Sequence, residues 1–564
     1  MKNKSLKNYS VSFIDKIFSI NWIPFGIIIS LGLFVYFQAI FFDFSYLDDN
    51  ALILGNTNLL SSFSNIVHFF QIDVFNSTKI LAFYYRPILT LSFLFDYQIG
   101  GISPFIYHFT NIWLHILATC LLFSFLKKLD YRKELALLFS IIFLVHPVLT
   151  QAVAWIPGRN DSLLAVFILS SFIFLIKEIK EKKVSNLLWS LLFFSLALFT
   201  KESAIFILPI IFWYLFFMNK ENKTYNKFYL LIGSSGAVGI WVLLRYFALE
   251  GSMPATLINM IKSVFSSLPA LVQLLGKIFF PFNLSVLPIM KDTTFVYGIV
   301  SIILLTIILF LTKGKRWNYI LFGLMWFMFF LLPSFIRPDP SSVANFSEHR
   351  LYLPIIGIFI ILLETDFIKK IDLKKKSILI IISSIIIIFS VITMVHSRNF
   401  VNRLAFWKNA TETSPSYAFS SNNLGAMNFL DGNMLEAEIQ FKKTLELNPN
   451  EPMTHNNLGL TYANLNKFTE AEIEYKKEIE INPNYDNAYF NLGLLYWKQE
   501  KIEEAEIKWK ETLEINPNHI DALKALAANY YDQKNYKDAA FYAGELYKRG
   551  FQLPPEFLQL IQTY

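Results

Sequence analysis

Residues 22–49 read WIPFGIIISLGLFVYFQAIFFDFSYLDD, and this stretch sets the class of the protein. Its apolar part, Trp22 to Phe42, is long enough to cross a bilayer, because about 20 apolar residues span the hydrocarbon core. No small-residue cleavage motif follows, so we expect an uncleaved first span. Two adjacent carboxylates, Asp48 and Asp49, come just after it. Paired acids beside a membrane are costly to desolvate and repel each other, so they indicate a functional site.

The composition of the whole chain supports a polytopic membrane protein with a soluble part. The 564 residues are 54% hydrophobic, and the mean hydropathy is +0.43. From residue 411 onward there are 14 Lys and Arg against 23 Asp and Glu, so the first 410 residues carry a net charge of +16. This positive charge lies in short loops between apolar runs, where it controls topology, and no nucleic-acid partner is expected. The single cysteine, Cys120, excludes a disulfide and a thiol metal site.

Eleven apolar runs of spanning length predict an all-α helical bundle. If the N-terminus is cytoplasmic, the basic loops fall inside, provided that residues 255–281 do not span completely. That stretch contains Lys262 and Lys277, so we favour eleven spans over twelve. The segments left outside contain most of the unusual ionisable residues, which are therefore expected to converge on one face of the bundle. The runs are 22–42, 105–126, 134–151, 161–177, 185–199, 202–218, 227–247, 295–312, 318–336, 350–366 and 377–395.

The C-terminal part is an internal repeat. A Leu-Gly pair recurs every 34 residues, at 424–425, 458–459 and 492–493, with Leu526-Ala527 as a degenerate fourth copy. Alanines at 437, 471, 505 and 539 keep the same spacing, and Asn-Pro pairs close the units. A 34-residue period with these features is the tetratricopeptide pattern, which predicts helix pairs stacked in a solenoid. Such surfaces bind peptides or proteins, but the repeat alone identifies no ligand.

These patterns predict a polytopic helical domain at 1–400 and a linker at 401–416. Four repeats of 34 residues follow at 417–552, and a capping tail helix at 553–564. The charge distribution places the repeats on the external side, the same side as Asp48 and Asp49. The usage of Lys, Asn, Ile and Phe suggests an AT-rich bacterial genome, so the expected location is the bacterial inner membrane with the repeats in the periplasm.

Several segments, taken in order and with the repeats behind them, resemble one known family. They are YLDDNALILGN at 46–56, YYRPILTLSF at 84–93, GGISPFIYHFTNIWLH at 100–115, HPVLTQAVAWIPGRNDSL at 146–163, TKESAIFILP at 200–209 and SEHRLYLP at 347–354. Together they are similar to the transmembrane-and-tetratricopeptide-repeat (TMTC-type) O-mannosyltransferases of the GT-C glycosyltransferase superfamily. Family members often have more repeats than the four found here, which leaves room for a different acceptor.

The resemblance implies a membrane glycosyltransferase with an acidic catalytic motif in its first external loop. The donor would be mannose or a related hexose on a polyprenyl phosphate. The acceptor would be a hydroxyl, such as a protein Ser or Thr recruited by the repeats, and the transfer would invert the anomeric centre. By the resemblance Asp48 or Asp49 would be the general base, and the sequence leaves open which one. A structural alternative is that the pair opens a helix, as an N-cap followed by a first-turn acid.

The departing lipid phosphate requires positive charge at the headgroup level, for which Arg350, Lys201, Arg86 and Arg159 are the candidates, with Arg337 behind them. Glu202, Glu348 and His349 are expected to support this site; Glu202 is the obvious local partner of Lys201, and Glu348 that of Arg350. No metal is required, although a divalent cation held by Asp48 or Asp49 with Glu348 stays an alternative. No glycine-rich phosphate loop accompanies a strand–helix unit, which fits a donor delivered by the membrane lipids.

Two functions from other classes compete with glycosyl transfer. A non-catalytic scaffold would use the repeats to assemble envelope proteins, and its membrane part would be exchangeable for another anchor. A transporter or flippase would place charges near the bilayer midplane and show two related halves. The polar residues instead cluster at one boundary, and the spans show no internal repeat, so the transporter is disfavoured.

Overall fold

The computed structural model describes residues 17–78, 83–219, 227–250, 256–336 and 346–564. The regular secondary structure in these ranges is helical, and they contain no β-strand. It divides into two compact units, with the division between Ser414 and Pro415. The basic N-terminal residues 1–7 and the candidate cation Arg337 lie outside the described ranges.

The first unit is a bundle of apolar helices, as predicted. The described residues contain seven helices long and apolar enough to cross a membrane: Ile23–Phe41, Pro104–Lys128, Ile156–Glu181, Phe228–Ala248, Leu257–Phe279, Trp317–Phe335 and Lys376–Phe400. The pair Lys133–Val145 and Pro147–Ala154 is bent by 53° and makes an eighth if counted as one span. The bend falls at Pro147, which has no N–H to donate. Four shorter apolar helices are Val184–Leu198, Glu202–Met218, Val296–Leu311 and Pro354–Leu363.

These helices account for all eleven predicted runs, so the all-helical polytopic fold is confirmed. Residues 255–281, predicted not to span completely, contain one continuous helix, Leu257–Phe279, that is long and apolar enough to cross a membrane. Its polar residues, such as Lys277 and Ser267, are buried against the protein, whereas apolar residues such as Phe265 are exposed. The Lys277 ammonium lies 2.7 Å from the Glu348 carboxylate, so its charge is paired inside the protein and does not interrupt the helix.

Shorter helices lie between and after the spans. Residues 401–416, predicted to be a linker, include Arg403–Thr413, which belongs to the first unit. The remaining short α-helices of the first unit are Asp48–Leu52, Thr57–Leu60, Ile66–Phe69, Pro87–Gly100 and Asp366–Lys369.

Two helices of the first unit, Trp317–Leu331 and Pro354–Leu363, pack with their backbones in contact. A Cβ atom on Gly323 would lie 2.6 Å from the carbonyl oxygen of Gly357, so this position has no room for a side chain. Small residues permit such close approach between membrane helices. We call these two helices the glycine-packed pair.

One end of the glycine-packed pair carries a closed group of charges. Arg316 precedes its first helix, and Glu364 follows its second. The fully buried Glu364 carboxylate accepts hydrogen bonds from Arg316 at 2.6 Å, Lys369 at 2.7 Å and Tyr131 at 2.9 Å. Both carboxylate oxygens are therefore used. We call these four residues the Glu364 cluster.

The second unit is the predicted tetratricopeptide solenoid. Within each of the first three repeats, the glycine of the Leu-Gly pair faces an aromatic side chain of the second helix: Phe441, Tyr475 and Trp509 in turn. The repeated alanines are fully buried between helices. The four helix pairs are Ala418–Leu430 with Met434–Leu447, Thr454–Asn464 with Phe468–Ile481, Asp486–Lys498 with Ile502–Ile515, and Ile520–Asp532 with Tyr536–Lys548, followed by Pro555–Thr563.

Candidate functional site

A cavity of about 430 Å³ lies at the other end of the glycine-packed pair. Phe330 of its first helix, Ser334 of the turn Leu332–Phe335 that follows that helix, and Pro354 of its second helix line the cavity. Its volume is in the range of small-molecule sites. Six of the nine predicted site residues line it: Asp48, Arg86, Lys201, Glu202, His349 and Arg350. They come from segments far apart in the chain, so the expected convergence of ionisable residues on one site is observed.

The two adjacent aspartates take different positions. Asp48 is half-buried and lines the cavity, and its carboxylate makes no hydrogen bond within the described residues. Burial raises the pKa of Asp48 to about 6, although the positive charge of Arg86 opposes this shift. Asp48 is therefore an unbonded carboxylate that faces the cavity.

Asp49 points into the protein. It is 1% exposed and accepts hydrogen bonds from the Ser45 backbone N–H, at 2.9 Å, and from the Ser45 hydroxyl. Burial raises its pKa to about 6, and the bonds from Ser45 work against that rise. Asp48 and Asp49 open the helix Asp48–Leu52 and both lie in its first turn, as the structural alternative predicted. The N-cap residue is Leu47, however, so neither aspartate is the N-cap.

Asp49 helps to hold another wall of the cavity. The Ser45 hydroxyl that donates to Asp49 accepts a hydrogen bond from the Trp155 indole N–H at 3.0 Å. The Trp155 ring lines the cavity and lies 5.5 Å from the ring of His349, centroid to centroid. Asp49 thus fixes the orientation of an aromatic side chain next to the cavity.

The predicted cations Arg86 and Lys201 both line the cavity, but the partner of Lys201 differs from the one expected. Arg86 forms hydrogen bonds to the Glu202 carboxylate at 3.0 and 3.2 Å. Lys201 pairs instead with Asp161, at 2.6 Å, because Glu202 is taken by Arg86. Burial lowers the pKa of Lys201, and the charge of Asp161 opposes this effect. Each cation is thus held by an acid from a distant part of the chain.

Arg350 also lines the cavity, with its guanidinium 3.0 Å from the Ser334 carbonyl oxygen. Its expected partner, Glu348, points away and is fully buried. Glu348 accepts hydrogen bonds from Lys277 at 2.7 Å and from the Ser285 N–H at 2.8 Å. Glu348 therefore anchors the turn that carries Arg350 instead of neutralising it.

Arg159 is held away from the cavity. It is fully buried and donates to Asn111, Ser92, Asp96 and the Tyr107 carbonyl oxygen. These bonds use all five of its N–H groups, so none is left for a phosphate. Arg159 ties neighbouring helices together, and we leave it out of the proposed donor site.

His349 is neutral in this environment. Burial, followed by the charges of Lys201, Arg350 and Arg86, holds the pKa of His349 well below its ordinary value. Its Nδ1 atom is buried and has no hydrogen-bond partner among the described residues. A neutral imidazole has one donor and one acceptor, so His349 can bind a polar ligand without adding charge.

Sequence reasoning missed two functional candidates at the cavity. Arg245, near the end of the helix Lys227–Ala248, reaches the cavity and donates to the Phe83 carbonyl oxygen at 3.3 Å. The sequence could have indicated Arg245, because it is a single arginine near the end of an apolar run. Trp155 gave no comparable signal, because an aromatic residue in a membrane bundle has many ordinary positions.

The cavity does not assemble the metal site that the sequence left as an alternative. Glu348 is committed to Lys277 and points away from Asp48. Within the described residues, no group of three or more His, Cys, Asp and Glu side chains is placed to hold a metal ion.

Comparisons with known proteins agree with the resemblance seen in the sequence. Residues 94–244 match the family model for dolichyl-phosphate-mannose-protein mannosyltransferase, and residues 441–473, 462–500 and 486–519 match tetratricopeptide repeat models. The chain is 34% identical over 163 residues to the human protein O-mannosyl-transferase TMTC2, covering 28% of this chain and 19% of that protein. It is 33% identical over 121 residues to Tmtc1 of Drosophila melanogaster, covering 22% and 14%.

The match therefore spans less than a fifth of the length of these two relatives. Among solved structures, the first TPR of Spaghetti (RPAP3) bound to an HSP90 peptide is 26% identical, covering 21% of this chain and 93% of that chain, with a TM-score of 0.20. The sequence matches confirm the TMTC-like resemblance, with a mannosyltransferase-type membrane segment followed by tetratricopeptide repeats.

Proposed function

We propose that this protein is a membrane glycosyltransferase that moves mannose or a related hexose from a polyprenyl phosphate to an acceptor hydroxyl. One observation carries the proposal: a single cavity contains an unbonded aspartate, Asp48, together with three predicted cations, Arg86, Lys201 and Arg350. The segment that contributes Lys201, Trp155 and Asp161 to this cavity matches a mannosyltransferase family model. A scaffold that only anchored the repeats would need no such cavity.

Asp48 is the proposed general base. Its carboxylate takes the proton of the acceptor hydroxyl while the hydroxyl oxygen attacks C1 of the sugar. The bond from C1 to the phosphate oxygen breaks, its electron pair stays on the lipid phosphate, and the configuration at C1 is inverted. A carboxylate with its pKa raised to about 6 is a better base than one with an ordinary value, and it is still largely ionised at neutral pH.

The cations are proposed to bind the lipid phosphate. Arg86 and Arg350 offer N–H groups suited to phosphate oxygens, and Lys201 adds a compact charge. The ion pairs of Arg86 with Glu202 and of Lys201 with Asp161 hold these side chains in place before the donor arrives. Such preorganised charges stabilise the leaving phosphate without rearrangement during the reaction.

The proposed acceptor is a Ser or Thr hydroxyl on a protein. Both relatives reported above are named protein O-mannosyl-transferases. The tetratricopeptide unit offers a surface of the kind that binds polypeptides, and we assign it the recruitment of the acceptor. We place the protein in a bacterial inner membrane, with the cavity and the repeats on the periplasmic side.

The test uses the full-length protein in liposomes with radiolabelled mannosyl polyprenyl phosphate and periplasmic proteins as acceptors. Asp48→Asn should reduce label transfer to protein by about 10²–10⁴-fold, the usual contribution of a general base. Asp130→Asn is the matched control, because the Asp130 side chain is 72% exposed and does not line the cavity. Thermal unfolding of each variant shows whether it is folded.

Two results would overturn the proposal. The first is full transfer by folded Asp48→Asn and Asp49→Asn variants and by the double variant. The second is a wild-type protein that never transfers label from a polyprenyl-phosphate donor, although an unrelated membrane anchor fused to its repeats replaces it in the cell. That second result would support the scaffold function.

A further inference from the structure

Only one of the two carboxylate oxygens of Asp161 accepts a hydrogen bond within the described residues. Its Oδ1 atom accepts the Lys201 hydrogen bond. Its Oδ2 atom is buried and has no hydrogen-bond partner among the described residues. Asp161 lines the cavity and lies in the first turn of the helix Arg159–Glu181. A buried carboxylate oxygen without a donor costs free energy, so a ligand that donates to it gains affinity.

His349 places a second unpaired group beside it. Its Nε2 atom lies 3.9 Å from Asp161 Oδ2, too far for a hydrogen bond, and its Nδ1 atom is buried and unpartnered. The His349 backbone N–H donates to Gln151, and the imidazole ring packs against Trp155, so both the backbone and the ring of His349 are held in place. Two neighbouring side chains on the cavity wall thus each have one polar atom without a partner among the described residues, Oδ2 of Asp161 and Nδ1 of His349.

The third part of this wall is the Trp155 indole. Trp155 is 6% exposed, lines the cavity and is held by its hydrogen bond to Ser45. An aromatic face beside fixed hydrogen-bonding groups is suited to a sugar ring, which has apolar C–H faces and a rim of hydroxyl groups. Each hydroxyl both donates and accepts, so a sugar hydroxyl can serve Asp161 and His349 together.

We propose that Asp161 and His349, backed by Trp155, form the subsite that hydrogen-bonds the donor's sugar and selects among hexoses. This inference rests on the proposed function, because it assumes that the cavity takes a sugar on a lipid phosphate. It goes beyond that function by separating the cavity into a phosphate part and a sugar part. Asp161 contributes to both, one oxygen positioning Lys201 and the other facing the sugar.

The distinguishing experiment compares binding of two probes to the full-length protein in detergent: farnesyl phosphate and mannosyl farnesyl phosphate. The variant is His349→Phe, which keeps a ring against Trp155 and removes both nitrogens. It should weaken binding of mannosyl farnesyl phosphate at least tenfold and leave farnesyl phosphate binding unchanged. The matched control is His68→Phe, because His68 is exposed and does not line the cavity.

A second measurement needs no variant of the protein. Mannosyl farnesyl phosphates lacking one hydroxyl, at C2, C3, C4 or C6, are tested on the wild type. One of them should bind and react far more poorly, because a site built to hydrogen-bond a hydroxyl rejects the analogue that lacks it, by up to about 10⁴-fold. The His349→Phe variant should no longer distinguish that analogue from the complete donor, and His349→Gln should recover part of the difference.

The outcomes separate the two proposals. Equal losses on farnesyl phosphate and mannosyl farnesyl phosphate, or no variant-dependent difference in the deoxy series, would overturn the sugar subsite. The proposed function would survive that result as long as Asp48→Asn still abolished transfer. A wild-type protein that bound neither probe would overturn the proposed function itself, and the subsite with it.

Discussion

Both ends of the glycine-packed pair carry carboxylates and cations, but the hydrogen bonds of the carboxylates are complete at one end and incomplete at the other. At one end the Glu364 carboxylate accepts from Arg316, Lys369 and Tyr131, and no oxygen is left over. At the other end, the cavity leaves the Asp48 carboxylate without a hydrogen bond and one oxygen of Asp161 unpaired. In this protein, incomplete hydrogen bonding of Asp48 and Asp161 therefore distinguishes the end that carries the cavity from the end that carries the Glu364 cluster.

The pKa values of the carboxylates at the two ends shift in opposite directions. Burial alone would raise the pKa of Glu364, but hydrogen bonds from Arg316 and Lys369 hold it below its ordinary value. Burial raises the pKa of Asp48 to about 6, and the charge of Arg86 compensates only in part. A carboxylate with full bonding is kept ionised, whereas one with an open side can exchange a proton.

In the comparison between the two ends, the largest effect is expected from substituting one arginine at each end. Arg350→Gln removes a proposed phosphate ligand and should lower transfer about 10–100-fold, since a hydrogen bond to a charged group contributes about 1.5–3 kcal/mol. Arg316→Gln, in the Glu364 cluster, should leave transfer per folded molecule unchanged and lower the unfolding temperature. Initial rates and thermal unfolding of both variants measure this; similar rate losses in both would remove the distinction between the two ends.

The matched carboxylates should differ in stability. Glu364→Gln loses its charge-assisted bonds and should cost about 1–3 kcal/mol of unfolding free energy. Asp48→Asn should cost nothing or stabilise, because burial disfavours the ionised carboxylate that it replaces. Denaturant unfolding at neutral pH provides the comparison, and a folded protein that lost more stability from Asp48→Asn would contradict it.

The same two carboxylates should give opposite pH dependences of stability. The raised pKa of Asp48 means that its folded form binds a proton more tightly, so stability falls as the pH rises from about 4 to about 6. The lowered pKa of Glu364 means that its contribution is lost as the pH falls below its ordinary value of about 4. Subtracting the Asp48→Asn and Glu364→Gln curves from the wild type isolates each contribution, and curves of the same sign would disprove the assignment.

Transfer itself should depend on pH through the cavity and not through the Glu364 cluster. A general base must be ionised, so the rate should rise with a midpoint near pH 6 and fall about tenfold for each unit below it. Rates of the wild type and of Glu364→Gln between pH 4.5 and pH 8 should show the same midpoint. A profile without a midpoint in this range would exclude Asp48 as the base that controls the rate.

The smallest effect is expected for Arg245, which lines the cavity. Arg245 is half-buried and already bonded to the Phe83 carbonyl oxygen, so its charge acts on the donor through solvent. Arg245→Gln should reduce transfer only about 2- to 5-fold, as for exposed ion pairs, and the reduction should disappear at high salt. A salt-independent loss as large as that of Arg350→Gln would place Arg245 among the direct phosphate ligands.

Much of the architecture was predictable because its signals are local. The 34-residue period fixed the four helix pairs, and apolar runs fixed the helices of the bundle. The position of Asp48 after a span, together with basic loops, was enough to predict that Asp48, Lys201 and Arg350 meet. Topology constrains which ends of helices share a face, even when the contacts are unknown.

The remaining features depend on rotations and pairings that sequence does not encode locally. Which aspartate faces the cavity depends on how the short helix Asp48–Leu52 is turned, and that follows from the bond between Asp49 and Ser45. Lys201 precedes Glu202 in sequence but pairs with Asp161, because Glu202 is oriented toward Arg86. In the sequence, Arg159 cannot be distinguished from the other candidate cations. Only the structure shows that its N–H groups are bonded to the protein itself.

The contact between Gly323 and Gly357 has a mechanical consequence. No layer of side chains separates the two helices where their backbones touch, so we expect the two helices to behave as one rigid body. The turn that carries His349 and Arg350 leads into one end of these two helices, and the Glu364 cluster lies at their other end. The part of the cavity wall that carries His349 and Arg350 therefore rests on a tightly packed contact between helix backbones, which holds it in position.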